Sequence, residues 1–106
     1  MVQTKHQILQ QIKNSVHATD PGATLILYGS YARGDYREDS DIDILVLLDK
    51  DKITFDDRER ISSPLYYIEL EVEIHISPMI YTRNSWDTKL VITPFYKNVT
   101  RDGVML

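Results

Sequence analysis

The first apolar residues of the chain recur at helical spacing. Ile8, Leu9, Ile12 and Val16 lie on one face of the segment TKHQILQQIKNSVHA, which has the three- to four-residue period of an amphipathic helix. The sequence DPG at 20–22 ends this pattern, because proline and glycine favour turns. The sequence therefore predicts an N-terminal helix followed by a turn.

Two nearly continuous apolar runs follow. ATLILYG at 23–29 and DIDILVLL at 41–48 are rich in strand-forming residues, and such runs are typical of strands buried on both faces. The polar segment at 30–40 separates them and has room for one helical turn after Ser30. We predict two neighbouring buried strands, the second ended by DKDK at 49–52.

The next segment, TFDDRERISSPLYYIELE, gives a mixed signal. Ile61, Leu65 and Ile68 have helical spacing, and three acidic residues near the start suit a helix N-terminus. Pro64 argues against an unbroken helix, because proline lacks the amide hydrogen that the helix interior needs. The segment is therefore ambiguous: its spacing favours a helix, and Pro64 counts against an unbroken one.

From residue 72 onward apolar and polar residues alternate strictly. One face holds Val72, Ile74 and Ile76, and the other holds Glu73, His75 and Ser77. A period of two is typical of a half-buried strand, which Pro78 would close.

The C-terminal third has several helix boundary signals. Asn84 or Ser85 could cap a short helix, and Thr93-Pro94 marks the start of another that ends at Gly103. VML at 104–106 could add a short strand. The element order predicts an α/β (α+β) fold, a small mixed sheet with helices packed against it, in a single domain over residues 1–106.

Composition narrows the function classes. The chain has 106 residues, 42% hydrophobic and 26% charged, and no cysteine, which fits one globular domain and excludes disulfides and thiolate metal sites. No apolar run could span a bilayer and no secretory signal begins the chain, so a cytoplasmic location without membrane association is expected. The net charge of −4 makes nucleic acid an unlikely partner.

The strongest chemical signal is a pair of acids at the start of the second predicted strand. Asp41 and Asp43 would project from the same face, about 6 to 7 Å apart along the strand. Two carboxylates that close repel each other unless a cation lies between them, and Mg²⁺ or Mn²⁺ prefers such oxygen ligands. The alternative is a pair of solvated acids at a strand edge that prevents edge pairing.

A Gly-Ser pair at the end of the first strand favours the cation site over the solvated pair of acids. Gly29 would let a ligand approach the backbone closely, and the Ser30 hydroxyl and following amides could donate to an anion. Taken alone, GS is more simply a plain turn. Phosphate donors beside a dicarboxylate cation site, however, form half of a phosphoryl-transfer centre.

The stretch GSYARGDYREDSDIDILV, residues 29–46, resembles the signature of the polymerase-β-type nucleotidyltransferase superfamily, written Gly-Ser, ten residues, Asp-x-Asp. ARG at 32–34 and SDID at 40–43 resemble in particular the minimal nucleotidyltransferase (MNT) domains. The order of elements around the signature fits that family over nearly the whole chain.

The resemblance implies roles for four of these residues. Gly29 and Ser30 would hold the β- and γ-phosphates of a nucleoside triphosphate. Asp41 and Asp43 would bind two metal ions, Mg²⁺ or Mn²⁺, which would activate the attacking hydroxyl and stabilise the pyrophosphate leaving group.

The loop after the turn offers one cation and two aromatic rings. Arg33 is close enough to the turn to bind the phosphates, or else it forms a salt bridge with Asp35 or Asp39. Tyr31 and Tyr36 could stack on a base, but we expect them to pack against the domain.

Family members normally supply a third carboxylate from a neighbouring strand. By parity on the predicted strand VEIHISP, Glu73 is the natural candidate for a third catalytic and metal-binding acid. The family position could instead align with His75 or Ser77, which would leave the base missing or replaced.

The resemblance also suggests a reaction and partners. The leading hypothesis is a metal-dependent enzyme that transfers a nucleoside monophosphate, AMP from ATP by preference, to a hydroxyl, such as a tyrosine of a HEPN-type toxin. The second hypothesis is an antitoxin or binding subunit, catalytically weak or inactive, that acts by complex formation. Larger relatives carry a further helical domain for which this chain has no residues, so a partner or oligomer would complete the site.

Overall fold

A computed structural model describes residues 3–106. Met1 and Val2, the first residues of the predicted domain, lie outside the described part. The helices are α1 (Lys5–Thr19), α2 (Ser30–Arg33), α3 (Phe55–Val72), α4 (Arg83–Thr88) and α5 (Pro94–Asp102), with a 3₁₀ turn at Leu90–Ile92. The strands are β1 (Thr24–Tyr28), β2 (Ile42–Leu48), β3 (Ile76–Thr82) and β4 (Val104–Met105).

The four strands form one mixed sheet in the order β3-β2-β1-β4. β2 runs parallel to β3 and antiparallel to β1, and β4 pairs antiparallel with the other edge of β1. The predicted fold class, a small mixed sheet with helices packed against it, is confirmed.

Strand β2 is the centre of the fold because helices cover both of its faces. Ile44 and Val46 belong to the core that α1 and α3 close, whereas Leu45 and Leu47 belong to the core that α4 and α5 close. The burial of each such side chain contributes about 1.5–3 kcal/mol. Asp43 is the one residue of β2 that is not fully buried. The sheet therefore holds this carboxylate firmly while leaving it accessible.

The ambiguous segment forms one continuous helix, and the signal of Pro64 against an unbroken helix is misleading, because α3 runs through it. Proline at 64 leaves the carbonyl of Arg60 without its helical donor. The Thr19 hydroxyl at the end of α1 donates to that carbonyl at 3.4 Å instead. The helix is further held by its buried residues Ile61, Leu65 and Ile68.

The strand predicted at Val72–Ser77 is also placed wrongly. Helix α3 continues to Val72 and ends at Glu73, which caps it in the left-handed conformation (φ 59°). The strand begins at Ile76 and continues through Pro78 to Thr82. An edge strand tolerates proline because half of its amides point away from the sheet. The alternating pattern from residue 72 thus covered the end of α3 and the loop before β3.

The C-terminal boundaries agree with the prediction in most places. Thr93 caps α5 through the amide of Tyr96, with Pro94 at the first turn and Gly103 at the end. Helix α4 is capped by Thr82 rather than by Asn84 or Ser85. Across residues 3–106, no helix is both long enough and apolar enough to cross a membrane.

Candidate active site

The site begins where β1 turns into α2. Gly29 has φ 74° and ψ −156°, a conformation that residues with a side chain rarely adopt. Its carbonyl accepts the amides of Ala32 and Arg33, both at 3.1 Å, which forms the helical turn predicted after Ser30. A β-carbon on Gly29 would collide with Oδ2 of Asp43. Glycine is therefore required both by the backbone and by the neighbouring carboxylate.

Asp43 lies near the start of β2, which is flanked by a strand on each side. It pairs with Tyr28 of β1 on one side and with Ser77 of β3 on the other. The predicted neighbourhood of Gly29 and Asp43 is therefore present, because the antiparallel pairing brings the end of β1 to the start of β2.

The electrostatic environment of Asp43 is mainly unfavourable to its charge. Burial raises the pKa of the Asp43 carboxyl, and repulsion from Asp41 raises it further. The positive charge of Arg33, with a smaller contribution from His75 when its ring is protonated, acts in the opposite direction and only partly offsets these effects. Neither Asp41 nor Asp43 forms an ion pair within residues 3–106. The pair thus carries negative charge that the chain itself does not neutralise.

This donor set fits a divalent cation in part. Two uncompensated carboxylates are the ligand type that Mg²⁺ prefers, with water and phosphate oxygens filling the other positions. Among the described residues, no group of three or more histidine, aspartate or glutamate side chains could hold a metal ion. Asp41 and Asp43 would therefore have to share the coordination with ligands from the substrate.

Arg33 joins the loop to α5. Its Nε donates to Asp35 at 3.2 Å, as the salt-bridge alternative predicted, and its Nη1 lies 3.8 Å from Asp102. Asp102 also accepts two bonds from Arg101, both at 3.0 Å. No motif in the sequence pointed to the end of α5, because only the tertiary fold brings this helix to the Gly29 turn.

A cavity of about 220 Å³ opens between the Gly29 turn and α5. Gly29 and Arg33 line one side, and Phe95, Asn98 and Arg101 line the other. Asp102 also lines the cavity and partly neutralises the two guanidinium groups, since it pairs with Arg33 and with Arg101. The cavity therefore has a charged, polar side next to an aromatic one.

Tyr28 connects this cavity to Asp43. Burial, the negative charge of Asp43 and the neighbouring Tyr81 raise the pKa of Tyr28 to about 12. Its ring meets Phe95 edge to face at a centroid distance of 5.3 Å. The phenol therefore stays protonated at neutral pH and forms part of the wall between the acids and α5.

Glu73 does not occupy the position from which it was expected to act. It is an exposed residue at the end of α3, outside β3. The residues of the β3 side that lie next to the acids are Ser77, which pairs with Asp43, and His75, whose carbonyl accepts the Ile42 amide at 2.9 Å. The alternatives at His75 and Ser77 therefore match the strand register better than Glu73.

The two loop tyrosines pack against the domain, as expected. Tyr31 is buried, and its ring stacks on that of Tyr36 at a centroid distance of 4.1 Å and an interplanar angle of 8°. Lys5 lies over the Tyr36 ring and donates to the Tyr31 carbonyl at 2.9 Å. This stack fixes the loop that carries Arg33.

Comparison with known proteins gives consistent results. The model of the nucleotidyltransferase domain family matches residues 9–101. Two Methanocaldococcus jannaschii proteins, each named "Putative protein adenylyltransferase", are similar to this chain. The first is 35% identical over 92% of this chain and 94% of its own length. The second is 37% identical over 77% of this chain and 75% of its own length. A crystal structure of a toxin–antitoxin with AMP-PNP superposes with a TM-score of 0.65 at 18% identity, covering 91% of this chain and 69% of that one.

The family match spans most of the chain, and the Gly-Ser turn and the acid pair it contains lie side by side in the fold. The chain belongs to the nucleotidyltransferase domain family.

Proposed function

We propose that this protein transfers AMP from ATP to a hydroxyl group of a partner protein, with a tyrosine of a HEPN-type toxin as the expected acceptor. The observation that carries the proposal is the contact between the Gly29 turn and the Asp43 carboxylate. This contact supports a phosphate site and a cation site that belong to one small region. The names of the curated relatives and the bound nucleotide analogue of the structural neighbour support the same reaction class.

Each candidate residue has a part in that reaction. Gly29 and Ser30 would receive the β- and γ-phosphates, and Arg33 would exchange its bond with Asp35 for a phosphate oxygen. Asp41 and Asp43 would hold divalent cations, two Mg²⁺ or Mn²⁺ ions by family analogy. Bound there, the cations would neutralise phosphate charge and increase the acidity of the acceptor hydroxyl.

In the transfer step, the acceptor oxygen forms a bond to the α-phosphorus of ATP. The bond from that phosphorus to the bridging oxygen breaks, and pyrophosphate leaves with that oxygen. The hydroxyl proton passes to a base. The chain contributes positions and charges to this step, as is usual in phosphoryl transfer.

The test is transfer of label from α-³²P-ATP in the presence of Mg²⁺ and the product of the neighbouring gene. Wild type should label the acceptor, whereas Asp41→Asn and Asp43→Asn should each reduce the rate by at least about 100-fold, the loss expected for a major electrostatic group. Asp51→Asn, at an exposed acid in the loop after β2, is the matched control. Equal labelling by all four proteins would show that the acid pair has another role.

One observation favours a second candidate, a subunit that acts by binding. Helix α3 exposes large apolar side chains: Phe55 (79%), Tyr67 (70%), Leu70 (57%) and Tyr66 (55%). Among residues 3–106 no third acid joins Asp41 and Asp43 in a metal-binding group. Together with the exposed face, this supports an antitoxin that neutralises its partner through complex formation. That function predicts a stable complex with Asp41→Asn and Asp43→Asn, and full neutralisation without any labelled product.

A further inference from the structure

The cavity between the Gly29 turn and α5 lies on the same face of the sheet as Asp43. Side chains alternate along a strand, and Leu45 and Leu47 of β2 pack in the core that α4 and α5 close. Asp43 therefore faces the same layer. Both Tyr28 and Gly29 line the cavity. Tyr28 is the register partner of Asp43, and a β-carbon on Gly29 would meet Oδ2 of Asp43. The cavity is thus next to the candidate cation site.

The position of α5 beside this turn is fixed by the C-terminal end of the helix. A β-carbon on Gly103 would collide with the Val99 carbonyl and with the Ile26 side chain, so only glycine allows the end of α5 to pack this closely on β1. The chain then continues as β4, in which Met105 pairs with Ile26. The wall that α5 contributes to the cavity is therefore part of the packed fold.

One face of α5 forms this wall. Phe95, Asn98 and Arg101 are three residues apart and Asp102 is four residues after Asn98, so all four share a face. At 1.5 Å per residue, Phe95 and Asp102 are about 10 Å apart along the helix. Arg33 is 3.8 Å from Asp102, so the Gly29 turn adjoins the charged end of the face. A nucleotide with its phosphates at the turn can extend its base along α5 toward Phe95.

The aromatic end of the cavity is rigid and small. The Phe95 ring meets Tyr28 edge to face at a centroid distance of 5.3 Å and Trp86 in the same way at 5.6 Å. Pockets that enclose drug-sized ligands measure about 300–1,000 Å³, whereas this cavity measures about 220 Å³. It therefore suits one planar ring system against Phe95, with the rest of the ligand lying outside.

Asn98 can read the edge of such a ring system. Its side chain is exposed and carries an amide donor next to a carbonyl acceptor. Adenine presents an N6 amino donor beside the N7 acceptor, a pair that asparagine binds with two hydrogen bonds. Guanine presents two acceptors, O6 and N7, on the same edge, so the Asn98 oxygen would have no donor there.

We propose that this cavity binds the base of the nucleotide, with Phe95 against the ring and Asn98 as the residue that selects adenine over guanine. This inference rests on the proposed AMP transfer, because it takes the phosphates to bind at the Gly29 turn. It assigns the choice of nucleotide to α5, since the turn and the acid pair would meet only the phosphates and cations that all nucleoside triphosphates share.

The experiment measures binding by calorimetric titration in Mg²⁺, with no acceptor present. The ligands are AMP-PNP, GMP-PNP and 7-deaza-ATP, which lacks the N7 acceptor. The proteins are wild type, Asn98→Ala and the matched control Thr100→Ala. Thr100 is an exposed polar residue of α5 that does not line the cavity. Circular dichroism first establishes that each variant has a native fold.

Wild type should bind AMP-PNP at least about 10-fold more tightly than GMP-PNP, as one pair of hydrogen bonds to a base edge allows. Asn98→Ala should reduce this preference to less than about 2-fold, chiefly by weakening AMP-PNP. Wild type should also bind 7-deaza-ATP about 5-fold more weakly than ATP, a difference that Asn98→Ala should abolish. Thr100→Ala should behave as wild type.

The outcomes separate this inference from the proposed function. Equal binding of AMP-PNP and GMP-PNP by wild type would overturn base selection while leaving AMP transfer standing. An Asn98→Ala protein that keeps the full preference for adenine would overturn the role of Asn98. If wild type binds none of the three nucleotides in Mg²⁺, both proposals are overturned.

Discussion

Oδ2 of Asp43 occupies the space in which a β-carbon on Gly29 would have to lie. The two residues are 14 positions apart in the sequence and meet because β1 and β2 pair antiparallel. This contact links the Gly29 turn to the acid pair, so a change at either residue should affect the other.

Gly29→Ala tests this contact. The substitution forces alanine into a conformation that favours glycine and displaces the Asp43 carboxylate, so we expect a loss of about 2–4 kcal/mol in the free energy of unfolding, together with loss of AMP transfer. Urea denaturation and the labelling assay measure the two effects.

Gly34→Ala is the matched control. Gly34 also has a positive φ of 86°, but nothing lies within 4 Å of an added β-carbon. It should lose only about 1 kcal/mol and retain activity. Equal behaviour of the two variants would mean that backbone strain alone accounts for the effect.

The charge of Asp43 should reduce stability at neutral pH. Because burial and Asp41 raise its pKa, the folded state holds the Asp43 proton more tightly than the unfolded state does. Stability is then highest at acid pH and decreases as the pH rises from the ordinary value of 3.8 through the folded pKa. Asp43→Asn should therefore be more stable than wild type at pH 7, and the difference should vanish near pH 3.

Asp57 provides the comparison with the opposite sign. Hydrogen bonds from Lys50 and Thr54 lower the pKa of Asp57 to about 2. Its contribution to stability is present above 3.8 and decreases as the pH falls toward 2. Asp57→Asn should be less stable than wild type at pH 7. If thermal melts show destabilisation by both substitutions, Asp43 is a structural carboxylate and not a strained site residue.

Arg33 should contribute to nucleotide affinity. A charge-assisted bond to phosphate is stronger than its exposed bond to Asp35, so Arg33→Gln should weaken ATP binding about 10-fold. Arg37→Gln removes the same charge from the same loop, where the Arg37 side chain is exposed, and should weaken binding less than about 2-fold. Calorimetric titration distinguishes a specific contact from a general loss of positive charge, which would lower both affinities equally.

The sequence predicted the elements whose signals are local. Apolar periodicity located α1, continuous apolar runs located β1 and β2, and Thr93, Pro94 and Gly103 located α5. The spacing of Gly29-Ser30 and the acid pair predicted neighbours in space, since the strands that carry them pair directly.

The failures come from interactions that cross the fold. Thr19 allows α3 to continue through Pro64, and Glu69 sets the start of β3 at Ile76. Both contacts depend on how α3 packs, so an alternating pattern misplaced Glu73. The contribution of α5 to the candidate site, through Arg101 and Asp102, was missed for the same reason. No local motif indicates which helix packs against the Gly29 turn.

The most direct test of the central claim is calorimetric titration of wild type, Asp41→Asn and Asp43→Asn with a non-hydrolysable ATP analogue, in Mg²⁺ and in EDTA. The account predicts that Mg²⁺ strengthens analogue binding to wild type at least about 10-fold and has little effect on binding to either variant. Binding of equal strength in Mg²⁺ and EDTA by all three proteins would contradict the claim that Asp41 and Asp43 hold a divalent cation against the nucleotide.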